Sequence, residues 1–213
     1  MKEFTGTPLV VDLDHTLIDT DLLQESSKGV LKKSPWLIVI FPFWFIRGKG
    51  YLKEQLVKRF EINVSTLPYN QTTIDYIKQR KEAGNLIVLA TASHKRYAFK
   101  VAEYLKTEKT KSKHKTNKNQ ELFTGKSQTT QINTSNSLFD DVMASNLAFN
   151  LSSQNKANKL IERFGKGGFD YMGDHIRDLP VWEASNLAIL VNVSKRIIRK
   201  TKHLKVLVLS TQD

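Results

Sequence analysis

The sequence predicts an α/β fold, a Rossmann-like parallel sheet with helices on both faces, and three observations predict it. Short apolar runs of strand length recur along the chain, each followed by a stretch with helical spacing. The turns that end those runs collect carboxylates, hydroxyls and a lysine. At 213 residues, 40% hydrophobic and 25% charged, the chain can bury a core as one domain with a modest elaboration, which excludes a disordered or collagenous polymer.

The elements follow in order. Residues 8–13 (PLVVDL) suit a buried strand. Residues 67–84 carry helical spacing at Ile74 and Ile77 and stop at a glycine. Residues 85–91 (NLIVLAT) repeat the buried-strand pattern, and helix-like sequence follows through Leu105. Residues 138–144 form a weaker strand. Residues 153–164 are helical, with Gly165, Gly167 and Gly168 punctuating their end. Residues 169–173 and 187–193 read as strands around helix-like 179–184. A parallel sheet of this kind places its site at the carboxyl ends of its strands.

The charge is uneven. Of the net +12, residues 106–137 and 194–213 carry +5 each, whereas 1–105 and 138–193 carry +4 and −2. The first basic stretch is rich in Lys, Thr, Asn, Ser and Gln and predicts a flexible loop; the second predicts a basic tail. With no cysteine, disulfides, thiolate metal sites and cysteine nucleophiles are excluded, which fits a reducing compartment. Residues 1–14 contain no apolar signal core, and no apolar run approaches the ~18 residues of a membrane span. The expected location is cytoplasmic, with peripheral attachment at the inner face of a membrane as the elaboration.

Four polar groups sit at strand ends. Asp12, Asp14 and Thr16 alternate in VVDLDHTL, so in extended backbone they point to one side. Converging carboxylates repel and favour a hard cation on oxygen ligands, magnesium best; read alone, they equally form an acidic turn. Thr91, in LATASH, offers a hydroxyl where a helix start could seat a phosphate, or it simply caps that helix. Lys156 lies just inside a helix that Ser152 or Ser153 could cap, so it can aim an ammonium at the same anion or stand solvated, and Lys159 is its rival. Asp174 and Asp178, four apart at a helix start, can supply or brace metal ligands, or are acids favoured by the helix dipole. Their order decides between these readings, because successive βα units bring all four groups to one sheet edge.

On these residues the chain resembles the haloacid dehalogenase (HAD) superfamily of phosphotransferases, whose four motifs match DLDHT (12–16), Thr91, Lys156 and GDHIRD (173–178). The phrases ATASHKR, NLSSQNKANKLIERFG, GFDYMGDHIRDLPVW and WLIVIFPFWFIRGK bring it closer to the HAD domain fused ahead of UbiA-type membrane prenyltransferases. Apart from 106–137, the likeness covers most of residues 7–200. It implies a HAD core over 1–19 and 76–200 and a small helical cap inserted after the first strand over 20–75; the basic insert at 106–137, within the core, has no counterpart in the closer relatives, and the basic tail takes 201–213.

By that resemblance Asp12 is the nucleophile that forms an aspartyl-phosphate, and Asp14 protonates the leaving oxygen and later activates water. Thr91 and Lys156 hold the phosphoryl oxygens. Mg²⁺ rests on Asp12, Asp14 and Asp174, with Thr16 and Asp178 in support. His15 stands where the superfamily often has glycine. A carboxylate two residues after the nucleophile favours phosphate chemistry over dehalogenation, because an alkoxide leaving group wants a proton. The expected activity is Mg²⁺-dependent hydrolysis of a phosphoric monoester, on a lipid-linked or small organic phosphate. The alternative is a non-catalytic HAD-fold module docking on a membrane prenyltransferase or a membrane surface.

Within the cap segment, residues 36–46 (WLIVIFPFWFI) are eleven consecutive apolar residues around Pro42, and no acid occurs between Glu25 and Glu54. Lys28, Lys32, Lys33, Arg47, Lys49 and Lys53 flank the run. This is either a buried helical hairpin or an interfacial anchor facing an anionic membrane. FTGKSQ imitates the end of a P-loop, but Gln120 replaces the required glycine. The basic runs lack aromatic residues and a recognition motif, which speaks against nucleic acid.

Overall fold

The computed structural model describes residues 4–114 and 137–210. Strands β1 (Gly6–Val11), β2 (Asn85–His94), β3 (Asp141–Ser145), β4 (Asp170–Gly173), β5 (Leu187–Val191) and β6 (Val206–Leu209) form one parallel sheet in the order β3-β2-β1-β4-β5-β6. The chain builds outward from β1 to β3, then crosses back to place β4 on the other side of β1. The order therefore reverses between β1 and β4, the place where such sheets open a crevice.

Alternation along the strands feeds two cores. Leu9 and Val11 pack on one face with Ile87, Leu89 and Ile189, against Ile74 and Ile77 of α4 (Gln71–Glu82) and Ala98 and Val101 of α5 (Lys95–His114). Val10, Val88 and Leu190 pack on the other, against Ala157 and Leu160 of α6 (Ser153–Phe164) and Val181 and Trp182 of α7 (Leu179–Ala184). Strands covered on both faces are apolar throughout, which is why these runs stand out in the sequence.

Between β1 and α4 lies a helical layer: α1 (Leu22–Lys33), a 3-10 turn over Pro35–Val39, α2 (Phe41–Ile46) and α3 (Lys49–Arg59). Asp21 caps α1 by accepting the Leu23 and Gln24 N–H groups. Leu37, Trp44, Leu52 and Leu56 close a small core of their own with Val30. Helix α4 runs continuously through residue 75, where the sequence places the cap boundary, and both its buried isoleucines belong to the sheet core.

Two expectations need correction. Residues 106–114 continue α5 as helix instead of starting a loop, and residues 115–136 lie outside the described residues. The basic tail predicted from residue 201 contains β6, followed after α8 (Lys195–Lys200) as an edge strand on β5. Leu207 and Leu209 pack with one core and Val206 with the other, so a two-residue period was present behind the lysines.

Candidate active site

Asp12 and Asp14 follow β1, and Asp174 follows β4, so the reversal of strand order sets these carboxylates side by side. The Asp12 N–H donates to the carbonyl of Met172, which ties the two strand ends together at 2.9 Å. Asp12 Oδ1 accepts the Leu13 N–H at 2.8 Å, and Oδ2 lies 2.9 Å from Lys156 Nζ. Lys156 reaches there from the first turn of α6 and is 1% exposed. Its ammonium also donates to the Tyr171 hydroxyl at 2.7 Å and stands 3.9 Å from Asp178 Oδ1. The rival Lys159 pairs with Glu162 on the surface instead.

Oxygen atoms of Asp12, Asp174 and Asp178 all lie within 4.8 Å of one another. The Thr16 hydroxyl donates to Asp174 Oδ1 at 3.3 Å. Asp178 is buried and accepts the Tyr171 hydroxyl at 3.0 Å and the His175 N–H at 3.1 Å. Burial, then the charges of Asp178 and Asp12, push Asp174 up to about 7. Burial also lifts Asp178 to about 6, against the pull of Lys156. Asp174 and Asp178, whose charged forms are held back by desolvation and crowding, converge with the Asp12 carboxylate and fit a small divalent cation, since a hard ion on carboxylate oxygens would relieve both.

The Asp14 carboxylate stands apart from that cluster and turns toward the helical layer. It accepts the Leu22 N–H at 2.9 Å and the Ser93 hydroxyl at 2.6 Å. Burial, then Asp21 and Asp12, push it up to about 7, so it carries its proton for a large share of the time near neutrality. The sequence reading put the Asp14 side chain among the metal ligands and Asp178 behind them; in the structure it is the Asp178 carboxylate that joins Asp12 and Asp174. Side-chain direction, which residue type does not reveal, makes that difference.

Thr91 is fully buried, and its hydroxyl accepts the Ser93 N–H at 2.9 Å. The cleft wall beside it is Ala92 and Ser93, at a point where the pairing of β2 with β3 shifts register. No side chain caps α6, whose opening residues Ser152 and Ser153 line the same cleft. The N-terminus of α6 is thereby free to face an anion. His15 takes φ +57, left-handed backbone in which glycine is at ease, and its exposed side chain stands at the cleft rim.

Sequence reasoning missed Ser93, Tyr171 and Lys53. Ser93 had a signal, because it lies two residues beyond Thr91 on the same strand. Tyr171 had none, since a tyrosine within FDYMG reads as core. Lys53, expected among the basic flanks, turns inward from α3 and donates to the Ala92 carbonyl at 2.5 Å and to Asn150 Oδ1 at 3.2 Å. One residue on, Glu54 meets His94 Nε2 at 2.9 Å, so α3 is fastened to the end of β2 at two points. The cleft, open to solvent on one side, holds about 150 Å³, and Leu23, Phe45 and Lys49 line it on the side of the helical layer.

Comparison with known proteins agrees with this geometry. The family profile of NLI interacting factor-like phosphatases matches residues 7–179. The uncharacterized protein y4nM of Sinorhizobium fredii (strain NBRC 101917 / NGR234) is 32% identical over 185 residues, which cover 86% of this chain. The chain spans 30% of the length of that curated relative. A predicted phosphatase from Clostridium acetobutylicum superposes with a TM-score of 0.60 at 15% identity, over 96% of this chain and 94% of that one. A phospho-aspartyl intermediate analogue of phosphoserine phosphatase superposes with 0.57 at 15% identity, over 98% and 95%. These likenesses establish the HAD fold.

Proposed function

We propose that this chain, which belongs to the NLI interacting factor-like phosphatase family, hydrolyses a phosphoric monoester with Asp12 as nucleophile. The observation that carries the reading is the buried Lys156 ammonium, held 2.9 Å from Asp12 Oδ2 beside Asp174 and Asp178. A lysine is stable in so enclosed a place only when paired, and here its partner is the carboxylate that would attack. Phosphoryl transfer requires negative charge on three oxygens to be neutralised and a nucleophile placed in line. Lys156 and the start of α6 supply the first requirement, and the fixed Asp12 supplies the second.

In the first half-reaction a bond forms from an Asp12 carboxylate oxygen to phosphorus as the ester oxygen–phosphorus bond breaks. Asp14, held by Ser93 and the Leu22 N–H, gives its proton to the departing alkoxide. In the second half Asp14 takes a proton from water, the water oxygen bonds to phosphorus, and Asp12 is released. Asp12, Asp174 and Asp178 would hold Mg²⁺, which supplies charge neutralisation to the nucleophile and the phosphoryl oxygens. A cleft of about 150 Å³ has room for the phosphoryl group and a small part of its carrier. The rest of a small organic or lipid-linked phosphate would leave past Leu23 and Phe45. The sequence phrases shared with UbiA-associated domains point to the lipid-linked alternative.

Asp12→Asn is expected to abolish hydrolysis of an aryl phosphate in the presence of Mg²⁺, with the fold retained by circular dichroism. Retained turnover would overturn the nucleophile assignment. An unaltered chain that turns over no phosphomonoester would favour a non-catalytic docking module.

A further inference from the structure

The outer surface of the helical layer breaks the ordinary partition of side chains. In the run 36–46 only Leu37 and Trp44 are buried, at 5% and 7% exposure. Trp36, Ile38, Val39, Phe43, Phe45 and Ile46 are between 56% and 80% exposed. A loose segment does not explain this, because Leu37 and Trp44 anchor the run in the small core with Leu52 and Leu56, and Arg59 stacks on Trp44 at 4.6 Å. The anchors alternate with outward residues on two short helical turns, so packing them inward forces six large apolar groups into solvent. A contiguous exposed patch of this size marks a binding surface.

We infer that this surface docks on an anionic lipid bilayer. Its rim decides the occupant. Lys32, Lys33, Arg47 and Lys49 flank the run in sequence and are exposed, and no acid lies between Glu25 and Glu54. Two such rims repel, which disfavours a second copy of the chain. Aromatic and branched aliphatic groups flanked by exposed basic side chains, with the acids drawn back into the cleft beside Phe45, complement acyl chains below anionic headgroups. Among the described residues no helix is long and apolar enough to cross a membrane. Phe45 belongs both to the patch and to the lining of the catalytic cleft. Docking would therefore hold the cleft mouth at headgroup level. The inference stands independently of the phosphatase reading.

The test is co-sedimentation of the full chain with phosphatidylcholine vesicles, with and without phosphatidylglycerol. The chain should pellet with the anionic vesicles, weakly with the neutral ones, and less as added salt shortens the screening length from about 10 Å at 0.1 M. Substituting Ile38→Ser, Val39→Ser and Phe43→Ser together should lower vesicle partition at least about tenfold, while aryl phosphate turnover stays unchanged. Lys32→Gln with Lys33→Gln should weaken binding to anionic vesicles alone. Failure to bind anionic vesicles overturns the inference, as does binding that survives the triple substitution. A chain that is dimeric in solution, becomes monomeric on the triple substitution and ignores vesicles would assign the surface to a second copy.

Discussion

The floor of the cleft and the outer face of the helical layer each invert the usual placement of side chains, in opposite directions. At the floor, Lys156 and Asp178 are charged groups at 1% and 4% exposure. On the outer face, Val39 and Ile46 are apolar groups at 68% and 80%. The two regions nevertheless answer different questions. The buried charges satisfy one another through Tyr171, so the folded chain already contains most of what stabilises them. Six large apolar groups of the patch have no such shelter among the described residues, and by the docking inference their stabilising contact is a bilayer. An internally satisfied cluster is suited to rearranging charge around a reacting group, and an unsatisfied patch is suited to holding a surface.

The sharpest way to break this contrast is Lys156→Met, which leaves Asp12, Asp178 and the Tyr171 hydroxyl without the ammonium that joins them. Loss of a preorganised charge on the phosphoryl oxygens should lower kcat/KM for an aryl phosphate by about 10²–10³-fold. Lys159→Met, four-fifths of a helical turn away and paired only with exposed Glu162, should change the rate by less than about twofold. Equal effects at both positions would mean that Lys156 is a structural lysine and the floor is not a reaction site.

That the floor could be located at all before the structure reflects what sequences record well. Strands β1, β2, β4 and β5 are covered on both faces and therefore read as continuous apolar runs. Helices α6 and α7 begin and end at the residues their spacing and glycines mark. Asp12, Asp174 and Lys156 were legible because strand ends converge in any parallel sheet. Three things were not. Asp14 and Asp178 are the same residue type, and only side-chain direction decides which one meets the acid cluster. Tyr171 acts through a lysine fifteen residues earlier that crosses to it from α6, a contact with no local signature. The outward tilt of 36–46 depends on which two of eleven apolar residues find the small core of the helical layer, and periodicity over so short a run does not choose them.

A second test compares the floor with and without its cation. The carboxyl groups of Asp174 and Asp14 are each raised to about 7 and that of Asp178 to about 6, all from 3.8. The folded chain thus holds these protons more tightly than the unfolded chain does. The associated stability is fully present below pH 3.8 and is lost as pH rises through about 6 to 7. In EDTA, Tm should therefore fall by about 5 °C or more between pH 5 and pH 8. Mg²⁺ should recover that loss at pH 8 and do little at pH 5, where protons compete for the same oxygens. A Tm indifferent to Mg²⁺ at pH 8 would show that the three acids do not form a cation site.

The smallest expected effect bears on the other half of the contrast. If the outer patch were simply a poorly finished part of the fold, replacing its apolar groups by serine would alter stability. Ile38, Val39 and Phe43 are 60% to 68% exposed, so their side chains hold little contact area that serine would remove. Trp44 and Leu37, which do hold the layer together, stay in place. The triple serine chain should melt within about 0.5 kcal/mol of the unaltered chain, a shift of about 2 °C or less. A large loss would mean that these residues pack within the chain and that the two regions differ less than their exposures say. A negligible one leaves apolar area that the fold does not use and that only contact with something else can remove from water.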